Sequence, residues 1–441
     1  MYKNKMKTQK MTIGRLALLL VLLMTQAATA GAVNQEVWQK LKNLPGITDV
    51  DTLASTQYAD KFVMYIDQLL DPEHPEAGSF KQRVIVAHAG YDRPTVLVTE
   101  GYDANYAVNP KYKEELSKLL NANLIFVEYR YFGKSMPQPS NWDYLTVKNS
   151  LADLHHVNTT FKRLYGGKWI ATGISKGGQT TMFYRSYYPD DVDVSVPYVA
   201  PLNKSLEDGR HEVFLRDKVG NAASRNAVKN AQLSLLKRKQ ALLPMLDSYC
   251  KEKGYTFRIP IADVFDYCVL EYSFALWQWG TPLTAIPAED APDQAWFHHL
   301  ITISEPGYFS LQTPYPSFNV QAAKELGYYG YDIEPFKPYL SIKSAKDYLR
   351  RVMLPEDLSG LTFDDTLYKH TVKFLQENDP DMIYIYGGDD PWTASGVTWL
   401  KGKKNIHVFV LPGGSHSTRI ASFDEKTQQE IKALLSQWLG M

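Results

Sequence analysis

Three stretches of this sequence carry residue types that can transfer an acyl group. In the first, "KWIATGISKGGQT" (168–180), an apolar run meets Gly173-Ile174-Ser175-Lys176-Gly177 and a helix-compatible run follows. A serine hydroxyl is a weak nucleophile until a base removes its proton. Small residues on either side of a serine permit the sharp strand-to-helix turn that lifts its hydroxyl clear of a sheet. A G-x-S-x-G match also fits a plain structural turn, so its weight comes from its place after a strand and before a helix. The second stretch, "DMIYIYGGDDPW" (381–392), ends a strand on Asp389 and Asp390. The third, "NIHVFVLPGGSH" (405–416), ends a strand in a Gly-rich loop at His416.

The order Ser, Asp, His is the order a nucleophile elbow on a mainly parallel sheet requires. Ser175 is the expected nucleophile and His416 the expected base. Of the ten histidines, only His416 follows a late strand inside a glycine-rich loop. His407 lies within that strand, His155 and His156 on a helix, and His298 and His299 in a helical region. Asp390 is favoured over Asp389 as the acid, because Pro391 fixes the backbone beside it. Asp389 would then cap the next segment or stay solvated. An acid in this role orients the imidazole and stabilises its charged form. The tetrahedral intermediate needs two N–H donors. They are expected from the backbone of Lys176, the residue after the nucleophile, and of Tyr102 in "TEGYDA" (99–104), where Gly101 allows close approach. The Lys176 side chain is expected to point to solvent.

These residues need a scaffold that brings strand ends together. Strands are expected at 61–70, 81–90, 93–102 and 193–201, with a strand running into a loop over 123–133, helices at 111–122 and 150–166, and a helix plus exposed lead-in over 34–60. The first strands are close enough for a hairpin, and the later ones need crossovers, which implies a mainly parallel sheet. Over 203–379 strand-like runs become scarce and helical spacing dominates. The sheet pattern then resumes and closes with an amphipathic helix at 423–440. The expected fold is α/β: an α/β-hydrolase core over 31–202 and 380–441, interrupted by a large helical cap at 203–379. Ligands in such sheets bind beyond the carboxyl ends of the strands.

Residues 1–30 read as a signal peptide. Five basic residues precede "LALLLVLLM" (16–24), and Ala28-Thr29-Ala30 is a small-residue cleavage site. The apolar run is too short to span a bilayer comfortably. Export to a periplasmic or extracellular space is expected, with no membrane span in the mature chain. Lys+Arg and Asp+Glu both number 48, so charge gives no hint of a nucleic-acid partner. Cys250 and Cys268 are the only cysteines. A disulfide between them is favoured over two buried thiols, because an exported chain meets an oxidising compartment. No metal-ligand spacing occurs, and no cofactor is expected.

"GSFKQR" (78–83), "EYRYFGKS" (128–135), "GISKGG" (173–178), "EYSFALWQWG" (271–280), "DDPW" (389–392) and "GGSH" (413–416) occur in order. Together they resemble the bacterial secreted prolyl tri- and tetrapeptidyl aminopeptidases, and more distantly the lysosomal prolyl carboxypeptidase and dipeptidyl peptidase II group. The lysosomal group usually has Tyr where Lys176 stands and often His where Tyr129 stands, so the departures point to the bacterial family. The resemblance covers nearly the whole mature chain. It implies a serine exopeptidase that removes short peptides from a free N-terminus, often after proline, with Ser175, Asp390 and His416 as the triad.

Removing a fixed number of residues requires reading the substrate's amine, which calls for a carboxylate. Glu100, Glu128 and Glu271 are the candidates, and for Glu128 or Glu271 taken singly a structural ion pair with Arg130 or another base is favoured somewhat over an amine anchor. Trp277 and Trp279 suit packing against a proline ring, and both also suit the core of the cap. A carboxylesterase or lipase on the same scaffold is the alternative reading, since fold does not fix substrate. It predicts a larger aliphatic groove. A non-catalytic binding protein with a decayed site would lack a triad member, and none is missing.

Overall fold

The computed structural model describes residues 34–441. The expected signal peptide falls outside the described residues. Nine strands form one sheet: β1 (Ile47–Thr52), β2 (Asp60–Leu69), β3 (Ser79–His88), β4 (Thr95–Thr99), β5 (Asn123–Val127), β6 (Trp169–Ile174), β7 (Val194–Tyr198), β8 (Met382–Gly387) and β9 (Ile406–Leu411). Their order is β1-β2-β3-β5-β4-β6-β7-β8-β9. The edge β1-β2-β3-β5 is antiparallel, and every pair from β5–β4 to β8–β9 is parallel. This is an α/β-hydrolase core.

The central strands are buried along their whole length because helices cover both faces. Strand periodicity sorts their side chains into two cores. Val84, Leu97, Ile125, Ala171 and Tyr384 face one. Ile85, Val96, Leu124, Ile170 and Ile383 face the other. The second core is closed by helix Glu425–Leu439, whose Ile431, Leu435 and Leu439 recur at four-residue spacing. Asp424 caps that helix by accepting the Thr427 N–H at 2.8 Å, and Gly440 ends it at φ 67°.

Two elements depart from the sequence expectation. The lead-in after helix Gln35–Lys42 contains β1. Its register slips between Thr48 and Asp51, and Asp49 sits at φ 54°, so the bulge erases the alternation that would mark a strand. The helix expected over 111–122 is only Glu115–Leu119. The Glu114 carboxylate accepts the N–H groups of Leu116 and Ser117, which fixes the helix start late.

Between β7 and β8 the described residues form helices and no strand, including Arg210–Asp217, Ala222–Lys237, Lys239–Lys253, Ile261–Trp279 and Asp293–Ile303. The last helix of this stretch, Thr366–Glu377, packs on helix Lys176–Tyr187. The expected disulfide is absent, and Cys250 and Cys268 are free, buried thiols. Each acts as a small apolar filler where helices Lys239–Lys253 and Ile261–Trp279 pack. Burial pushes the Cys250 thiol up to about 12 and holds that of Cys268 well above the ordinary thiol range. Among the described residues no helix is long and apolar enough to cross a membrane.

Candidate active site

Strand β6 ends at Ile174, and Ser175 turns the chain into helix Lys176–Tyr187 with φ 58° and ψ −120°. A non-glycine residue at positive φ is strained and persists only when its surroundings hold it. Here Ser175 donates its N–H to the Tyr198 carbonyl at 2.9 Å, which ties the turn to β7. A Cβ at Gly177 would sit 2.9 Å from the Thr99 carbonyl oxygen, so the turn closes against β4 only with glycine there.

Asp390 follows β8 and is fully buried. Its Oδ1 accepts the Trp392 N–H at 3.1 Å, capping the short turn Pro391–Ser395. Its Oδ2 lies 2.7 Å from Nδ1 of His416, which is 4% exposed. A carboxylate paired here can only accept, so the geometry suits a proton on Nδ1, which leaves Nε2 free as an acceptor. Asp389 turns away from the imidazole and accepts the Gly220 N–H at 3.2 Å. The His416 N–H donates to the Gln278 carbonyl at 2.8 Å, and the Trp279 ring stands edge-on to the imidazole at 5.8 Å.

Ser175 and His416 open into one cavity of about 660 Å³ between the strand ends and the helical segment. Among the described residues no hydrogen bond joins the Ser175 hydroxyl to the imidazole. Such contacts commonly tighten only when substrate is bound.

The Lys176 N–H is at the first turn of its helix and has no partner within it. The Tyr102 N–H donates to Glu100 Oε1 at a long 3.3 Å. The Lys176 side chain does not reach solvent as expected. It is buried, its Nζ donates to the Gly101 carbonyl at 2.8 Å, and it stands 3.2 Å from the Tyr129 ring centre. Aromatic faces and one carbonyl replace water there, and burial holds the amine well below its ordinary pKa. A Cβ at Gly101 would come 2.6 Å from Lys176 Cβ, so glycine is what lets the two segments touch.

The remaining candidates separate. Glu271 lines the cavity, accepts hydroxyl bonds from Tyr329 at 2.9 Å and Tyr331 at 2.8 Å, and is pushed up to about 7 by burial. Glu100 also lines it, with the Tyr106 hydroxyl donating at 2.6 Å, and burial raises its pKa. Glu128 does not reach the cavity. It is fully buried against Arg83 and accepts the N–H groups of Ala104 and Lys134, each at 2.7 Å, and the Ser135 hydroxyl at 2.9 Å. It staples the loop after β4 to the loop after β5, a structural role. Trp279 lines the cavity and is 60% exposed, whereas Trp277 is buried with its ring against Gly220. Helix geometry explains the split: Glu271, Ala275, Gln278 and Trp279 share one face at i, i+4, i+7 and i+8, and Trp277 points elsewhere.

Sequence reasoning did not single out Tyr329, Tyr331, Phe318, Trp392, Glu305 or Arg419, of which all but Tyr331 line the cavity. The run "YYGY" (328–331) was the one visible signal. Among the described residues no group of three His, Cys, Asp or Glu side chains gathers as metal ligands would.

The chain matches the family described as PS-10 peptidase S37 over residues 30–441. It is 29% identical over 435 residues to the prolyl tri/tetrapeptidyl aminopeptidase of Streptomyces mobaraensis, covering 94% of this chain and 87% of that protein. A shorter likeness, 28% over 212 residues, links it to the lysosomal Pro-X carboxypeptidase of Bos taurus, covering 43% of this chain and 42% of that one. Among solved structures, an α/β hydrolase from Penicillium sp. sh18 covers 86% of this chain and 99% of that chain, at 13% identity and a TM-score of 0.40. The chain belongs to the PS-10 peptidase S37 family and is a serine peptidase.

Proposed function

We propose that this protein is an exported aminopeptidase that releases tri- or tetrapeptides from free N-termini, preferably after proline, through an acyl-enzyme. The observation that carries this reading is a single cavity holding Ser175 and His416 together with Glu271, a buried carboxylate that no cation neutralises among the described residues. The name of the Streptomyces relative supports the same specificity. Export rests on the basic, apolar and small-residue segments of residues 1–30.

In this mechanism His416 Nε2 takes the Ser175 proton as Oγ attacks the scissile carbonyl. Asp390 holds the tautomer and stabilises the imidazolium. The oxyanion is received by the N–H groups of Lys176 and of Tyr102, which gives up its long bond to Glu100. The Gly101 carbonyl and the Tyr102 N–H belong to one planar peptide and point in opposite directions. The Lys176 Nζ bond to Gly101 therefore sets the direction of the Tyr102 donor, so a single residue supplies one donor and aims the other. His416 then returns its proton to the leaving nitrogen, and water resolves the acyl-enzyme by the same route.

Phe318 and Trp392 flank Ser175 and offer faces for a proline ring, while Glu271 pairs with the substrate ammonium. The test compares Ala-Ala-Pro-, Ala-Pro- and N-acetyl-Ala-Ala-Pro-p-nitroanilides with p-nitrophenyl butyrate, each beside Ser175→Ala. Release from the free tripeptide, lost on acetylation and in the mutant, is the expected result. Turnover of the butyrate ester alone would sink the reading and leave a carboxylesterase.

A further inference from the structure

Arg419 lines the same cavity as Ser175 and His416. Its Nη1 donates to the carbonyls of His416 at 3.2 Å and Thr418 at 2.8 Å. Its other two nitrogens, Nε and Nη2, have no acceptor among the described residues. Nor does any Asp or Glu among them form an ion pair with it. The acidic groups that act on it are committed elsewhere. Glu115 accepts from the Tyr198 hydroxyl and from the N–H groups of Ile420 and Ala421, and Asp390 serves His416. The Nε/Nη2 edge is the side of a guanidinium that grips a carboxylate with two parallel bonds. Arg130 uses that edge on Asp153, at 2.7 and 2.6 Å. A half-buried guanidinium with this edge unfilled is a ready receptor for a carboxylate.

The position of Arg419 says which carboxylate. His416 must hand its proton to the leaving nitrogen, so the leaving half of a peptide lies on the imidazole's side of the scissile bond. Arg419 is hooked to the carbonyl of His416 itself. The acyl half extends toward Glu271.

We propose that Arg419 docks the free α-carboxylate of a short substrate, one or two residues beyond the scissile bond. The inference rests on the peptidase reading of this cavity. The enzyme then reads both ends of an oligopeptide, amine at Glu271 and carboxylate at Arg419. Its best substrates are short products of earlier endoproteolysis, not long chains.

The experiment uses the peptides Ala-Ala-Pro-Ala and Ala-Ala-Pro-Ala-Ala, each as free acid and as C-terminal amide, with longer alanine extensions alongside. The wild-type enzyme is expected to favour the free acid by about tenfold, the size of one charge-assisted contact at a half-exposed site. The preference should appear in KM and not in kcat, because the contact is the same in ground and transition states. It should fade as the carboxylate recedes. In Arg419→Gln the acid-to-amide ratio is expected to fall to about one, and Arg419→Lys is expected to restore part of it. Because the ratio is taken within each variant, a folding defect does not mimic the result. Equal KM for acid and amide in the wild type, or an acid preference that survives Arg419→Gln, overturns the proposal. Calorimetric binding of the same peptides to Ser175→Ala separates the two readings. An acid preference in binding without cleavage by the wild type would defeat the peptidase reading and leave the carboxylate site standing.

Discussion

Glu128 and Glu271 are both buried glutamates in motifs that could serve an exopeptidase, and their surroundings differ in kind. Glu128 faces Arg83, two backbone N–H groups and a serine hydroxyl, so its charge is balanced and its lone pairs are filled. Glu271 faces only the hydroxyls of Tyr329 and Tyr331 and an open cavity. A hydroxyl solvates a carboxylate without neutralising it. A buried carboxylate completed by the protein is a staple, and one left short of a cation is the one proposed above to receive the substrate amine. The two adjacent aspartates repeat the contrast: Asp390 is spent on His416, and Asp389 on a backbone N–H of the helical segment.

The largest expected effect tests the aspartate pair. Asp390→Asn should lower kcat by about 10⁴, since the amide permits the wrong imidazole tautomer. Asp389→Asn should stay within a few-fold of wild type. Comparable losses in both, measured on the free tripeptide anilide, would erase the distinction. Next, Glu128→Gln strands Arg83 in the core and should cost about 3–5 kcal/mol of stability, read as a lower denaturation midpoint. Glu271→Gln should leave that midpoint unharmed. It should instead raise KM for free-amine substrates by about 10–100-fold, the worth of one partly desolvated charged contact, and leave the N-acetyl substrate as poorly cleaved as by the wild type.

The smallest effect concerns pH. Burial raises Glu271, Glu114 and Glu325 to about 7 each, above the 4.5 of an ordinary glutamate. Between these limits the folded protein keeps protons that the unfolded chain has released, so stability falls as pH rises from about 4.5 to 7. Glu271→Gln removes its share and should flatten that slope. If Glu271 receives the substrate amine as proposed, the same ionisation readies the cavity for it, so wild-type kcat/KM for free tripeptides should climb through pH 7. A pH profile unchanged in Glu271→Gln would break the assignment.

The sheet and the grouping of Ser175, Asp390 and His416 were legible because each residue ends a strand in a turn of fixed composition, and strand ends converge in a parallel sheet. Trp279 could have been separated from Trp277 by helical spacing from Glu271 alone. Other features were hidden for physical reasons. Lys176 is an ordinarily solvated residue type that takes an aromatic box in place of water, and no local pattern announces such a box, since Tyr102, Tyr129 and Phe132 come from two different loops. Tyr329 reaches Glu271 across 58 residues of chain. Strand β1 was lost to a bulge, and Cys250 and Cys268 turned out to fill helix-packing space.

The bond from the His416 amide to the Gln278 carbonyl crosses from the sheet's last loop to the end of helix Ile261–Trp279. That amide proton is shielded only while the helix stays seated. Its rate of hydrogen–deuterium exchange is therefore a clock for detachment of the helical segment, read at His416 itself. A peptide that bridges Glu271 and the scissile site should slow the clock.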